Sequence, residues 1–177
     1  MTVQINGTTG IDAVQAGAVE TGDLPAGTVL QVVQAVKSGG SSYQTADTWT
    51  DVSGLSVNIT PSSTSSKILV KYNLNISGAV VTAHAYTALT DASNNFVLSV
   101  PGAHGDVLCH SHHNLNDGRD VDNVTVEFLL SPNTTSQLTY KVRLRTQSNH
   151  GAYINYGVYD THDAETLSTI TAMEISG

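Results

Sequence analysis

Five consecutive residues hold the densest set of reactive side chains in the chain: Cys109-His110-Ser111-His112-His113. If this stretch is extended, His110 and His112 project from one face and Cys109, Ser111 and His113 from the other. Neutral imidazoles bind first-row transition metals, so His110 and His112 are the candidate metal ligands. The competing reading is a polar strand end whose histidines bind nothing. A zinc site built on Cys109 lacks the C-x-x-C or H-x-x-x-H partners of structural sites. The acidic loop over residues 114–122 offers oxygen ligands to calcium, yet it departs from D-x-D-x-D-G spacing, and a solvated turn in which Arg119 pairs locally is the better reading. His84, His104, His150 and His162 are scattered. Catalytic signatures are missing: the chain has no G-x-S-x-G, H-E-x-x-H, G-x-x-x-x-G-K-[ST] or strand-linked G-x-G-x-x-G. Two carboxylates could meet in space to cleave a glycoside, but no pair is singled out. The expectation is a protein that is not an enzyme.

Composition narrows the field further. A chain of 177 residues suits one domain with a real core. Charged residues make up only 12%, against 40% hydrophobic, a balance familiar in turn-rich all-β proteins. A formal charge of −8 with only seven Lys and Arg excludes a nucleic-acid partner held by clustered cations. A single cysteine cannot form an internal disulfide. No run of 18 apolar residues and no signal-peptide pattern occurs, so neither membrane insertion nor secretion is expected. The sequons at Asn6, Asn58, Asn75, Asn123 and Asn133 then carry no meaning.

The elements that must position any site are strands. Ile68, Val70, Tyr72, Leu74 and Ile76 share one face, while Lys67, Lys71, Asn73 and Asn75 share the other. The same alternation sets Val124, Val126, Phe128 and Leu130 against Thr125 and Glu127, and Leu138, Tyr140, Val142 and Leu144 against Thr139, Lys141, Arg143 and Arg145. Less regular strands are predicted over 29–36, 48–59, 80–89, 95–100, 107–113, 153–159 and 167–175, separated by Gly, Pro, Asn and Asp turns. Short strands at this spacing predict a jelly-roll-like β-sandwich with little helix, occupying residues 28–177.

Residues 1–27 differ, with few large apolar side chains, five glycines and a closing Pro25-x-Gly27 break. Such a segment cannot fold alone and reads either as a disordered tail or as an extended attachment arm. At the other end, Ile170 and Ala172 share one face of the last strand and Leu167, Met173 and Ile175 the other, so neither face looks fully solvated. Leu167, Ile170, Met173 and Ile175 are therefore candidate assembly residues; a central strand covered by a loop explains the pattern equally.

Several blocks, in order, resemble a β-sandwich domain at the C-terminal tips of bacteriophage tail fibres and related virion surface proteins, in particular those of marine phages and cyanophages. The blocks are Ile59-Thr60-Pro61-Ser62-Ser63-x-Ser65-Ser66-Lys67-Ile68-Leu69-Val70, Ser131-Pro132-x-Thr134-Thr135-Ser136, Leu138-Thr139-Tyr140-Lys141-Val142, Tyr153-x-Asn155 and Ser168-Thr169-Ile170-Thr171-x-Met173-Glu174-Ile175. They span residues 28–177, while the stretch 80–120 has no counterpart. The resemblance implies a homotrimer on the virion surface, made in the host cytoplasm, with residues 1–27 docking on another virion protein or a neighbouring subunit. It implies a short fibre, fibre tip or decoration, with host-surface glycan as one partner; Tyr86, Tyr153, Tyr156 and Tyr159 are the residues that could stack on sugars. Some trimeric phage fibres hold a metal on the threefold axis, so His110 and His112 from three chains would give an octahedral transition-metal site. The alternatives are a capsid decoration or cement protein with no receptor role, and a filament subunit joined by donor-strand exchange of the arm.

Overall fold

Period-two alternation allows a strand to bury one face only, so a chain built from such strands must stack two sheets. The computed structural model describes residues 23–78, 83–98, 111–115, 121–147, 150–156 and 166–177, with Ala83 and residues 111–115 as backbone alone. Ten strands follow in order: β1 (Val29–Lys37), β2 (Ser41–Tyr43), β3 (Thr50–Ile59), β4 (Lys67–Gly78), β5 (Ala83–Thr90), β6 (Ser111–Leu115), β7 (Asp122–Leu130), β8 (Leu138–Thr146), β9 (Ala152–Ile154) and β10 (Ser168–Ile175). No α-helix occurs among the described residues.

One sheet runs β1-β10-β4-β7 and the other β3-β8-β5-β6, with every pairing antiparallel. That order, in which the first and last strands pair and each sheet draws its strands alternately from both halves of the chain, is the jelly roll expected from the strand spacing. The two short strands extend the first sheet. Along β4, β10 pairs from Lys67 to Asn73, and β9 takes over from Ile76 to Gly78 on the same side. Outside them, β1 gives way to β2.

The core is the set of inward residues: Ile68, Val70, Tyr72, Leu74 and Ile76 of β4 face Val57, Leu89, Val142 and Leu144 of the opposite sheet, all buried. Tyr72 and Thr87 share a hydrogen bond of 2.8 Å across this interior, which satisfies two polar groups that would otherwise be stranded. A bulge lets β3 bend over the core. Its pairing with β8 slips between Asp51 and Ser56, and Gly54 sits there at φ +84°, where a side chain would be strained.

The strands predicted over 67–76, 124–130 and 138–145 form within two residues of their expected limits. Residues 95–98 do not form the predicted strand. Asp91 caps the preceding turn, its carboxylate accepting from the backbone of Ser93 at 2.8 Å and of Asn95 at 2.9 Å, and only a single bridge from Phe96 to Thr90 remains. Strand β9 stops at Ile154 rather than continuing, because Asn155 turns the backbone to φ +68°. Strand β2, for which the sequence offered no strand, follows directly on the turn at Gly39 and Gly40.

Candidate assembly face and surface sites

The register of the first sheet aligns residues that look unrelated in the sequence. On its outer face Val32 lies opposite Met173, Met173 opposite Leu69 and Leu69 opposite Leu129. The result is one apolar row crossing all four strands. Val32 is 54% exposed and Leu129 56%, while Leu69 and Met173 between them are half-buried. Such residues normally turn inward, because leaving each side chain in water forgoes about 1.5–3 kcal/mol of burial. The next row, Gln34-Thr171-Lys71-Glu127, is polar and carries one charge of each sign. Beyond it Asn73, Asn75, Asn123 and Thr125 bond one another, Asn73 and Asn123 reciprocally at 2.9 and 2.8 Å.

This sheet is held from inside by two polar staples. Glu174, next to outward Met173, points inward and is buried. Its carboxylate accepts from Gln31 Nε2 at 2.6 Å, from Ser62 N and Oγ at 2.7 Å each, and from Ser66 Oγ at 2.6 Å. Burial alone would raise its pKa, but the hydrogen bonds from Ser66, Gln31 and Ser62 outweigh it and hold the carboxyl below its ordinary 4.5. The second staple closes the hand-over between strands. Asn155 Nδ2 donates to the carbonyls of Lys37 at 2.9 Å and Gly39 at 3.3 Å, its Oδ1 accepts from Ser168 Oγ, and Ser168 Oγ accepts from Asn75 N at 3.0 Å. The resembled blocks around residues 62–66, 155 and 168–175 thus meet as load paths of the sheet.

The outer face of the second sheet is covered by its own chain. Lys141 Nζ reaches Asp51 at 3.0 Å and Asn94 at 2.6 Å; Arg143 Nε lies 2.8 Å from Asp51 and its terminal nitrogen donates to Trp49 O; Arg145 pairs with Asp47 at 2.7 Å. Arg145 also lies over the Tyr86 ring, 5.3 Å from its centroid. Trp49 and Phe96 pack edge to face at 5.5 Å, and Ala88 and Thr90 of β5, although on the outward parity, are fully buried.

Of the tyrosines named from sequence, the three described ones lie on different sheets. Tyr86 belongs to β5 of the second sheet, whereas Tyr153 and Tyr156 pair at 5.1 Å at the end of β9 in the first. Tyr156 packs on Gly40, where a Cβ would fall 2.2 Å from its ring, so this close approach requires glycine. Burial, then Tyr153 beside it, raises the Tyr156 hydroxyl pKa. Tyr159 and His110 lie outside the described residues, as do most of the acidic loop and residues 1–22. His112 is described as backbone and stands opposite Tyr86 in the β5–β6 register. Among the described residues no group of three His, Cys, Asp or Glu side chains gathers to hold a metal.

Of the candidate assembly residues, Met173 and Ile175 lie on the outer face and Leu167, 57% exposed, just precedes it. Ile170 is buried in the core and cannot touch a partner. Sequence reasoning missed Val32, Leu69 and Leu129. Leu69 and Leu129 are each a lone apolar exception on the polar parity of a regular strand, while Val32 shares the outward parity of β1 with exposed Val36, and register alone reveals that Val32, Leu69 and Leu129 coincide.

Two of the clefts among the described residues border the first sheet. One, of about 410 Å³, has Leu129, Pro132, Leu98, Phe96, Asp91 and Tyr140 among its walls, so the apolar row ends in it. Burial pushes the Tyr140 hydroxyl up to about 12, keeping it neutral. The other, of about 160 Å³, is lined by Leu24, Leu30 and the serines around the Glu174 staple.

No family model and no curated protein matches the chain. Among solved structures it is similar to the capsid protein of T=1 particles derived from infectious bursal virus, with a TM-score of 0.45 and 10% identity, covering 85% of this chain and 37% of that one. The structure of the Gt strain of infectious bursal disease virus gives a TM-score of 0.43 at 12% identity, covering 83% and 38%. The VP2 subviral particle of the same virus gives 0.37 at 8%, covering 84% and 40%. The chain spans well under half the length of these proteins.

Proposed function

We propose that this chain is a non-enzymatic virion structural protein: a jelly roll displayed as a homotrimer on the particle surface, as a short fibre, fibre tip or decoration, and attached through residues 1–27. The observation that carries this reading is the meeting of the resembled blocks. Ser62 and Ser66 are more than a hundred positions from Glu174, yet they share its hydrogen-bond network, and Asn155 and Ser168 share another, buried one. The residues that resemble phage fibre tips are spent on rigidity, which suits a display domain exposed outside a cell.

The placement of the tyrosines on different sheets favours a decoration or attachment role over sugar binding by a single aromatic platform. Host-surface glycan and an axial metal at His110 and His112 remain secondary proposals. Gold-labelled antibody raised against the purified chain is the test. Gold on the surface of intact particles, from the virus whose genome carries the chain, is the expected result. Label confined to the soluble host fraction overturns the reading.

A further inference from the structure

The outer face of the first sheet has a bare apolar row, and the question is what covers it. We propose that a second copy of this chain does: the β1-β10-β4-β7 face is the surface through which copies associate, with Val32, Met173, Leu69 and Leu129 at its centre. This rests on the oligomeric part of the reading above and adds the face that makes it.

Four observations favour a sister copy. The row runs unbroken from edge strand β1 to edge strand β7, so it exposes a line of side chains rather than an isolated residue. Size is sufficient: four strands about 4.8 Å apart and nine residues long measure roughly 19 by 30 Å, and the pleated surface of such a patch approaches the ~800 Å² per partner of a standard interface. Third, the polar row beside the apolar one carries both signs of charge. Lys71 and Glu127 are cross-strand neighbours there, so the row offers a cation and an anion to the edges of neighbouring copies. At the β7 end, Leu129 borders the 410 Å³ cleft, which offers a partner's side chain somewhere to insert.

The test is the solution mass of the full-length chain and of two variants, Leu129→Asp and Val32→Asp, with Thr125→Asp as a control two rows away on the same face. Both target side chains are more than half exposed, so the fold should survive, and a retained β-type far-UV spectrum checks this. The expected result is a wild type and control of three times 18.6 kDa, with both variants reduced to a single chain. A wild-type dimer that also falls to monomer supports the face and overturns threefold symmetry. Variants that keep the wild-type mass overturn the face and leave the oligomer standing; this is also the outcome if residues 1–22 of the same chain cover the row. A wild type that is monomeric at micromolar concentration overturns the oligomer reading itself.

Discussion

The two sheets of this sandwich treat their outer surfaces in opposite ways. The β3-β8-β5-β6 sheet is braced outside: three cations of β8 are tied to Asp47, Asp51, Asn94 and Trp49, Arg145 lies over Tyr86, Trp49 packs edge to face on Phe96, and Ala88 and Thr90 of β5 are buried. The β1-β10-β4-β7 sheet is held from within, by Glu174 and Asn155, and its outer face is left with an apolar row. Consecutive residues of β10 show the division: Glu174 anchors the strand inward while Met173 faces out. Internal anchoring frees a surface for something else. If that is right, substitutions on the braced face should cost folding stability, and substitutions on the bare face should cost association.

The largest stability effect should come from the inner anchor. Glu174→Ala removes a buried carboxylate that accepts from buried Ser66 and from the more exposed Gln31 and Ser62, and a loss of about 3 kcal/mol in denaturant unfolding is expected. A loss below about 1 kcal/mol would mean that the sheet is not held from inside. The same anchor predicts an acid response. Since the folded carboxyl titrates below its ordinary 4.5, its contribution is fully present above that pH and is lost as pH falls through the folded value. Urea midpoints measured from pH 6 down to pH 3 should therefore fall less steeply in Glu174→Gln than in the wild type.

On the braced face the effects should be smaller. Trp49→Ala removes the edge-to-face partner of Phe96 and should cost about 2 kcal/mol with no change in oligomeric mass. Arg145→Ala loses its contact over Tyr86 and its ion pair to Asp47, partly screened by solvent, for about 1 kcal/mol. Leu129→Asp on the bare face should change the stability of the isolated subunit least, by under ~0.5 kcal/mol. A fall in mass on Trp49→Ala, with none on Leu129→Asp, would reverse the comparison.

The architecture was legible in the sequence because the alternations over β4, β7 and β8 are regular, and a one-residue slip would have inverted every side chain. The segment after Asp91 was not, since its apolar residues look like a strand but cap and cover a sheet that a single sequence cannot display. The staples were half-visible. The blocks holding Ser62, Ser66, Asn155 and Glu174 stood out as a resemblance, but their meeting depends on pairings between β1, β4 and β10 that are not local. The apolar row was hidden for the same reason. Leu69 among Lys67, Lys71 and Asn73 is an unremarked exception until β10 and β7 are laid beside it. Of the expected assembly strand, Met173 and Ile175 lie on the outer face, whereas Ile170 of the same pattern belongs to the core.

The central claim is that the bare face joins copies of the chain, and the most direct measurement is the mass of the wild-type protein in solution beside that of Leu129→Asp at equal concentration. The account predicts three times 18.6 kDa for the first and 18.6 kDa for the second, both with a folded β spectrum. Equal masses for the two proteins would contradict it.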